Sequence, residues 1–162
     1  MTRKLESLAA PAVPNGHGAE FVTVTIAGQV FGIPVQEIHD VVVPSRITRV
    51  PLAPSEIAGI HNLRGRIVTA IDVRRCLNLP AYSGTARQMA IVVEFSGETY
   101  SLIVDGVGEV KLLKPSEFEP NLANLDPRWR HISAGLYRLP SELLIVFNIG
   151  ALVSFSQYPA AA

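Results

Sequence analysis

Residues that could carry out chemistry are present, but they form no familiar catalytic or metal-binding pattern. The candidates are His17, His39, His61, His131 and Cys76. The histidines lie far apart and lack the short paired spacing of zinc ligands, so the sequence predicts no metal site. Cys76 stands in an apolar context, which favours a buried side chain over the alternative of a reactive thiol.

Motifs for nucleophilic catalysis and phosphate binding are absent from the sequence. It contains neither a Gly-x-Ser-x-Gly elbow nor a Gly-x-x-x-x-Gly-Lys loop. Asp72 and Asp105 are two carboxylates that an enzyme could pair, yet each has a simpler structural explanation. Asp72 can cap a short helix, and Asp105 falls at a predicted strand end. The sequence therefore offers no clear pattern of catalytic residues.

Binding of another protein is better supported. The stretches 38–43, 89–93 and 102–110 are rich in apolar residues, and surplus apolar surface with polar edges marks partner sites. The alternative is that two barrels bury these stretches against each other. Arg64 can lay its aliphatic stem on apolar neighbours while its guanidinium group binds carboxylates or carbonyls. An ordinary surface arginine is the other interpretation.

The elements that must position these residues are mainly β-strands. Apolar residues alternate with threonines over 22–26, and a turn at Gly28 leads into 30–33. A second hairpin of the same kind covers 91–95 and 100–104, with Gly97 at its turn. Glycine permits the positive φ that tight hairpins require. Short helices are expected at residues 55–59, 73–77, 127–129 and 151–155.

The two hairpins indicate an internal duplication. The segment 26–33 aligns with 95–102, a shift of 97 − 28 = 69 positions, and 67–73 resembles 143–149. Both closing segments run from an apolar strand into Asp72 or Asn148, either of which can cap a following helix. Two matches in the same order predict two small barrels of about five strands each.

Composition narrows the class of protein further. Of the 162 residues 48% are hydrophobic and 17% charged, and the formal net charge is zero, which disfavours nucleic-acid binding. No stretch approaches the ~20 apolar residues of a membrane span, and a single cysteine fits a reducing, cytoplasmic location. Residues 1–19 and 155–162 are expected to be tails, with the folded domain between them.

Several motifs together resemble the CheW-like domains. Asn62-Leu63-Arg64-Gly65 leads into an apolar strand that ends at Asp72-Val73-Arg74, as in that family. Segments 31–33, 57–60 and 104–107 also fall where the family has similar ones, and the likeness runs from about residue 20 to 153. Asp40, where the family often has glutamate, and the stretch 129–142 depart from the pattern.

The resemblance implies a mostly β fold of two SH3-like five-stranded barrels packed together. The barrels would cover about 33–88 and 89–145, with 20–32 and 146–154 exchanged or bridging. It also implies a chemotaxis adaptor, not an enzyme, that joins the cytoplasmic tip of chemoreceptors to the regulatory domain of a CheA-type histidine kinase in arrays at the inner face of the membrane. Alternatives are an adaptor in another chemosensory pathway, or a small-molecule binder or enzyme using the groove between barrels.

Site residues follow from the same resemblance. The residues implied for receptor binding are Val35, Ile38, Arg64, Ile67, Met89, Val104, Val107 and Val110. Those implied for kinase binding are Asp40, Val41, Pro44 and Ser45. No cofactor, nucleic acid or direct insertion into the membrane is expected.

Overall fold

A computed structural model describes residues 18–120 and 123–154. Most of the two predicted tails lies outside these residues, although the first strand already begins at Ala19. The strands are β1 (Ala19–Ile26), β2 (Gln29–Pro34), β3 (Ile38–Val42), β4 (Ile57–Leu63), β5 (Arg66–Asp72), β6 (Met89–Phe95), β7 (Glu98–Val104), β8 (Gly106–Leu113), β9 (Phe118–Glu119), β10 (Ser133–Arg138) and β11 (Leu143–Phe147). The helices are α1 (Val73–Cys76), α2 (Pro127–His131) and α3 (Ile149–Val153), with 3₁₀ turns at Val35–Glu37 and Pro115–Glu117.

Two-residue turns fix the register of three hairpins. The turns are Ala27-Gly28, Arg64-Gly65 and Ser96-Gly97, and both residues of each have positive φ, between +52° and +86°. This backbone matches the right-handed twist of paired strands. The glycine-based hairpins predicted at 22–33 and 91–104 are confirmed.

Two sheets contain the eleven strands found in residues 18–120 and 123–154. One has the order β3-β6-β7-β5-β4, and the other has the order β8-β1-β2-β11-β10-β9. A bridge between Thr48, which follows β3, and Ile60 on β4 joins the two edges of the first sheet. The short strand β9 follows β8 and pairs with β10, which joins the edges of the second sheet in the same way. The mostly β fold of two packed barrels is confirmed.

The sheets divide the chain differently from the predicted boundary between residues 88 and 89. Strand β6 pairs with β3, and β7 runs parallel to β5, so 89–104 belongs to the same sheet as 38–72. The hairpin β1–β2 pairs instead with β8 and β11. Each hairpin therefore completes the barrel of the other repeat, and a boundary at 88/89 cuts through the first barrel.

Matching registers support the duplication. Ile145 on β11 lies opposite Phe31 on β2, and Thr69 on β5 lies opposite Tyr100 on β7. A shift of 76 positions relates Thr69 to Ile145, and the shift of 69 relates Phe31 to Tyr100. The predicted helix caps are present too, because the side chains of Asp72 and Asn148 accept hydrogen bonds from the third residue after them.

One core joins the two barrels. Phe31 and Phe147 stack with ring centroids 4.5 Å apart, and the same cluster contains Ile91 and Leu102 of the other sheet. The apolar run 89–93 is covered on both faces, because Ile91 and Val93 enter this shared core while Ala90 lies in the interior of its own barrel. Much of the surplus apolar surface is therefore buried between the barrels, as the alternative interpretation proposed.

The prediction of a helix at residues 55–59 is wrong. Turns occupy 51–52 and 55–56, and β4 begins at Ile57, opposite Ile71. Gly59 has φ +147°, and a side chain there would collide with the backbone oxygen of Thr48. Pairing of this segment with β5 and Thr48 outweighs the local preference for a turn of helix after Pro54. Helices do occur at 73–76, 127–131 and 149–153.

Within the described part of the chain, no helix is long and apolar enough to cross a membrane.

Candidate functional site

Both sheets turn one face toward the shared core, and the register shows which residues lie on that face. Directly opposite residues of antiparallel strands point to the same side. Val107 lies opposite Val24, and Val41 lies opposite Ile91. Because Val24 and Ile91 are core residues, Val107 and Val41 lie on the core-facing side.

The same argument extends to other residues that lie at the edge of the core. Ile38 and Met89 lie opposite core residues, and Ile67 is four residues before the core residue Ile71 on β5. Val110 and Leu112 lie opposite Val22 and Glu20, which share a face of β1 with the core residue Val24. We use the name core rim for these residues, which are Ile38, Val41, Ile67, Met89, Val107, Val110 and Leu112.

The core rim is an apolar surface that reaches solvent. Ile38, Met89 and Val107 are partly buried and pack against the shared core. Ile67, Val110 and Leu112 are 66%, 54% and 67% exposed. Burying one such side chain against a partner is worth about 1.5–3 kcal/mol. A surface of this kind suits apolar side chains of another protein.

Arg64 lies in the turn between β4 and β5 and has a strained backbone conformation. Its φ of +52° is uncommon for a residue with a side chain. The N–H of Gly65 donates to Oδ1 of Asn62 at 2.8 Å, which supports the turn. As a result the guanidinium group projects outward, and 78% of the side chain is exposed.

Arg64 and Asp40 are ion-paired, with 2.7 Å between Nη2 and Oδ2. The other oxygen of Asp40 accepts a hydrogen bond from the backbone N–H of Val41 at 2.8 Å. The pair bridges the β4–β5 turn and β3, two neighbouring parts of one barrel. It also brings a residue predicted for receptor binding into contact with one predicted for kinase binding.

The other residues predicted for partner binding differ in their exposure to solvent. Val41 and Ser45 are exposed, while Val35 and Pro44 are partly buried. Val104 has no exposed surface and lies within the shared core. Its predicted role as a wall of the groove is therefore wrong for the folded protein, because a partner cannot reach it.

Sequence reasoning missed Leu112 and did not single out Val43 within the apolar stretch 38–43. Leu112 follows Val110 by two residues on β8, and Val43 follows Val41 in the same way just after β3. Both are exposed, at 67% and 48%. Alternation along a strand was the available signal, since residues two apart share a face.

The titratable side chains considered for chemistry lie in surroundings that favour a structural role over a catalytic one. Cys76 is buried, and burial raises the pKa of its thiol far above the usual value, so it is not a reactive thiolate. His61 is buried, and Nε2 lies 2.8 Å from Oγ of Ser101. The residues that the structure describes contain no group of three or more His, Cys, Asp or Glu side chains that could hold a metal ion.

Comparison with known families agrees with this architecture. The pattern that defines the CheW-like domain matches residues 20–157. The chain belongs to the CheW-like domain family. Its departures at Asp40 and in 129–142 lie within the matched region.

Individual relatives carry the same name. The chain is 28% identical over 137 residues to the chemotaxis protein CheW of Klebsiella aerogenes, covering 85% of this chain and 82% of that protein. It is 30% identical over 102 residues to CheW of Bacillus subtilis, covering 63% and 65%. The crystal structure of the scaffolding protein TtCheW from Thermoanaerobacter tengcongensis superposes with a TM-score of 0.73 at 27% identity, covering 80% of this chain and 88% of that one. These relationships support an adaptor role.

Proposed function

We propose that this protein is a cytoplasmic chemotaxis adaptor that couples the tip of a chemoreceptor to a CheA-type histidine kinase in arrays beneath the membrane. The observation that carries the proposal is the core rim, a set of core-facing apolar residues on both sheets that keep solvent access, together with the exposed Arg64 three residues before Ile67. The CheW relatives add the biological setting. A binding role of this kind requires no catalytic residue and no cofactor.

The receptor would bind as a helix along the core rim. Apolar side chains of an amphipathic helix recur every three to four residues and can contact a rim of this kind. Val107 and Val110 supply contacts from the second barrel, and Ile38, Ile67 and Met89 supply them from the first. Arg64 then fixes the register of the helix by binding a carboxylate or a helix-terminal carbonyl.

The kinase would bind beside β3, at Asp40, Val41, Pro44 and Ser45. Val41 is an exposed apolar residue, and Asp40 is the carboxylate that holds Arg64. A receptor carboxylate that competes for Arg64 would release Asp40 and change the charge presented to the kinase. The ion pair therefore offers a direct physical connection between the two binding surfaces.

Calorimetric titration with a soluble fragment of a receptor tip tests the receptor-binding surface. We expect Arg64→Ala to lower the affinity about tenfold, because an exposed charge-assisted contact of this kind is worth about 1–2 kcal/mol. Arg66→Ala is the matched control, since Arg66 is an exposed arginine at the other end of the same turn. Equal affinities for Arg64→Ala and the unchanged protein would reject the role of Arg64.

A second experiment tests the pair of partners. Affinity purification from the native cells should recover a chemoreceptor together with a CheA-type kinase, and Ser45→Arg, a change on the kinase surface outside the core rim, should reduce recovery of the kinase more than that of the receptor. Recovery of components of a motility or biofilm pathway instead would assign the adaptor to that pathway. Recovery of neither a receptor nor a kinase contradicts the proposal.

A further inference from the structure

The parallel strand pairs of the two barrels begin at different points. In the second barrel, β11 pairs with β2 from Leu144, opposite Val30, onward. The shifts of 76 and 69 positions place Val68 and Thr99 at the corresponding points of the first barrel. There the pairing of β5 with β7 begins one residue later, at Thr69. Strands β5 and β7 therefore separate one residue earlier than their counterparts do.

A cleft of about 230 Å³ lies where β5 and β7 separate, and residues 66–69 and 97–100 line it. Each strand follows a two-residue turn, and its first residue lies opposite the residue before that turn. Such closing pairs bond to each other, so the next residue of each strand directs its backbone groups away from its hairpin partner. The backbone groups of Ile67 and Thr99 therefore face the cleft. We call it the β5–β7 cleft.

A side chain of the protein itself bridges the matching junction in the second barrel. Nε2 of Gln29 donates to the carbonyl of Val30 at 2.9 Å and to that of Leu143 at 2.8 Å, one on each strand. By the same two shifts, Leu143 and Val30 correspond to Ile67 and Thr99. A primary carboxamide therefore fits a junction of this kind, because its amide group bonds to one carbonyl on each strand.

Glu98 takes the position of Gln29 in the first barrel, and it cannot make these bonds. A carboxylate has no N–H to donate to a carbonyl. Instead, Oε2 of Glu98 accepts a hydrogen bond from the hydroxyl of Tyr100 at 2.7 Å. The residue that corresponds to Tyr100 in the second barrel is Phe31, which has no hydroxyl. The first barrel therefore lacks the internal amide donor that the second barrel has at this junction.

We infer that the β5–β7 cleft is a subsite for a primary carboxamide, supplied by an Asn or Gln side chain of the receptor helix. The carbonyls of Ile67 and Thr99 accept its N–H groups. The lining contains one cation, Arg66, and one anion, Glu98, so it carries no net charge and suits a neutral amide better than an ion. None of these bonds involves the Arg66 guanidinium.

The receptor is the donor because Ile67 belongs both to the cleft and to the core rim. A helix bound along the core rim therefore lies beside the cleft and can extend a side chain into it. This choice of donor rests on the proposed function, whereas the carboxamide chemistry does not.

Titration with propionamide, followed by NMR of the full-length protein, tests the chemistry within one molecule. Propionamide should shift the backbone amide signal of Thr99 saturably and leave that of Val30 unchanged, because Gln29 already bridges the second junction. N,N-dimethylpropionamide, which has no N–H group, should shift neither signal. Glu98→Gln should abolish the Thr99 response, and Gln29→Glu should create one at Val30. Equal responses of Thr99 and Val30, or a Thr99 response that survives in Glu98→Gln, overturns the inference.

Calorimetric titration with a receptor-tip fragment tests the source of the carboxamide. Glu98→Gln should weaken binding about fivefold, because its own amide fills the cleft and the receptor side chain loses its hydrogen bonds. Glu94→Gln is the matched control, since Glu94 is an exposed glutamate outside the cleft lining. Equal affinities for Glu98→Gln and Glu94→Gln overturn the receptor as the donor. Propionamide binding in a protein that binds no receptor overturns the proposed function and leaves the carboxamide site standing.

Discussion

Arg74 and Asp105 form a two-point ion pair that ties the two halves of the chain together. Nε of Arg74 donates to Oδ1 at 2.9 Å, and Nη2 donates to Oδ2 at 3.0 Å. Oδ2 also accepts the N–H of Ala27 at 2.8 Å, and Arg74 donates to the carbonyl of Pro80. One carboxylate thus connects α1, the turn between β1 and β2, and the start of β8. It fixes the strand that carries Val107 and Val110.

Replacing Asp105 with asparagine should cost about 3 kcal/mol of unfolding free energy. Both side chains of the pair are nearly buried, at 13% and 14% exposure, and removing one partner leaves the other charge uncompensated. Urea titration measures this loss. Arg138→Ala is the control, because the Arg138–Glu119 pair is a similar contact on the surface and its removal should cost much less. Equal costs for the two variants would contradict the structural role of Asp105.

The same carboxylate should make stability fall at acid pH. Burial alone would raise the pKa of Asp105, but hydrogen bonds from Arg74 and the Ala27 N–H outweigh it and leave the pKa below its ordinary value. A carboxyl with a lowered pKa in the folded state contributes stability above its unfolded pKa of about 3.9 and loses it as the pH falls further. Acid titrations of unfolding should show this loss in the unchanged protein and not in Asp105→Asn.

His61 should produce a second pH dependence, at higher pH. Its burial lowers the pKa of the imidazole, so the folded state binds the proton more weakly than the unfolded chain. The contribution of His61 to the free energy of unfolding is therefore fully present above about pH 6.5. Below that pH the free energy of unfolding declines, by at most about 1.4 kcal/mol per pH unit for one proton. Unfolding measured from pH 7.5 to 5 should lose this slope in His61→Gln. His131→Gln, which removes an exposed histidine, should keep it.

Replacing Gly97, the turn glycine between β6 and β7, should lower the free energy of unfolding. Gly97 has φ +80°, and a methyl group built on it contacts nothing within 4 Å. Any loss in Gly97→Ala is thus due to the backbone, and about 1–2 kcal/mol is expected. Ser96→Asn is the comparison variant, and it should raise the free energy of unfolding slightly because Asn-Gly is the preferred sequence for this turn. Thermal unfolding of the two variants measures both effects.

Patterns of hydrophobicity and glycine predicted the hairpins, the duplication and both helix caps, because these features depend on neighbours in sequence. Exchange of the hairpins between barrels does not follow from such local patterns, and the exchange expected for 20–32 rested on the family resemblance alone. The alternation of Val22 and Ile26 is the same whether β1 pairs with its own repeat or with β8 of the other. The pairing of β1 with β8 and of β2 with β11 joins residues far apart in sequence, which no local pattern reports.

The candidate site was predictable in part for the same reason. Arg64 stands in a recognisable turn, and the apolar runs mark strands near the surface. The exposed fraction of each valine depends on how the sheets pack, so Val104 and Val107, three residues apart, differ in accessibility. The partners of Asp105 lie 31 and 78 positions away in sequence, which no local pattern reports.

The exchanged hairpins and the shared core should make the two barrels unfold as one unit. Trp129, the single tryptophan of the chain, donates from Nε1 to the carbonyl of Leu77 at 3.2 Å, and its ring lies 5.6 Å from that of Phe31. Its fluorescence therefore reports on contacts between α2, the end of α1 and the hairpin β1–β2. Far-UV circular dichroism reports on strands of both barrels. Because Phe31 packs in a core that contains residues of both sheets, the two signals should change at the same urea concentration. In Phe31→Leu the midpoints should move together to lower urea, whereas separate midpoints would show that the barrels are independent.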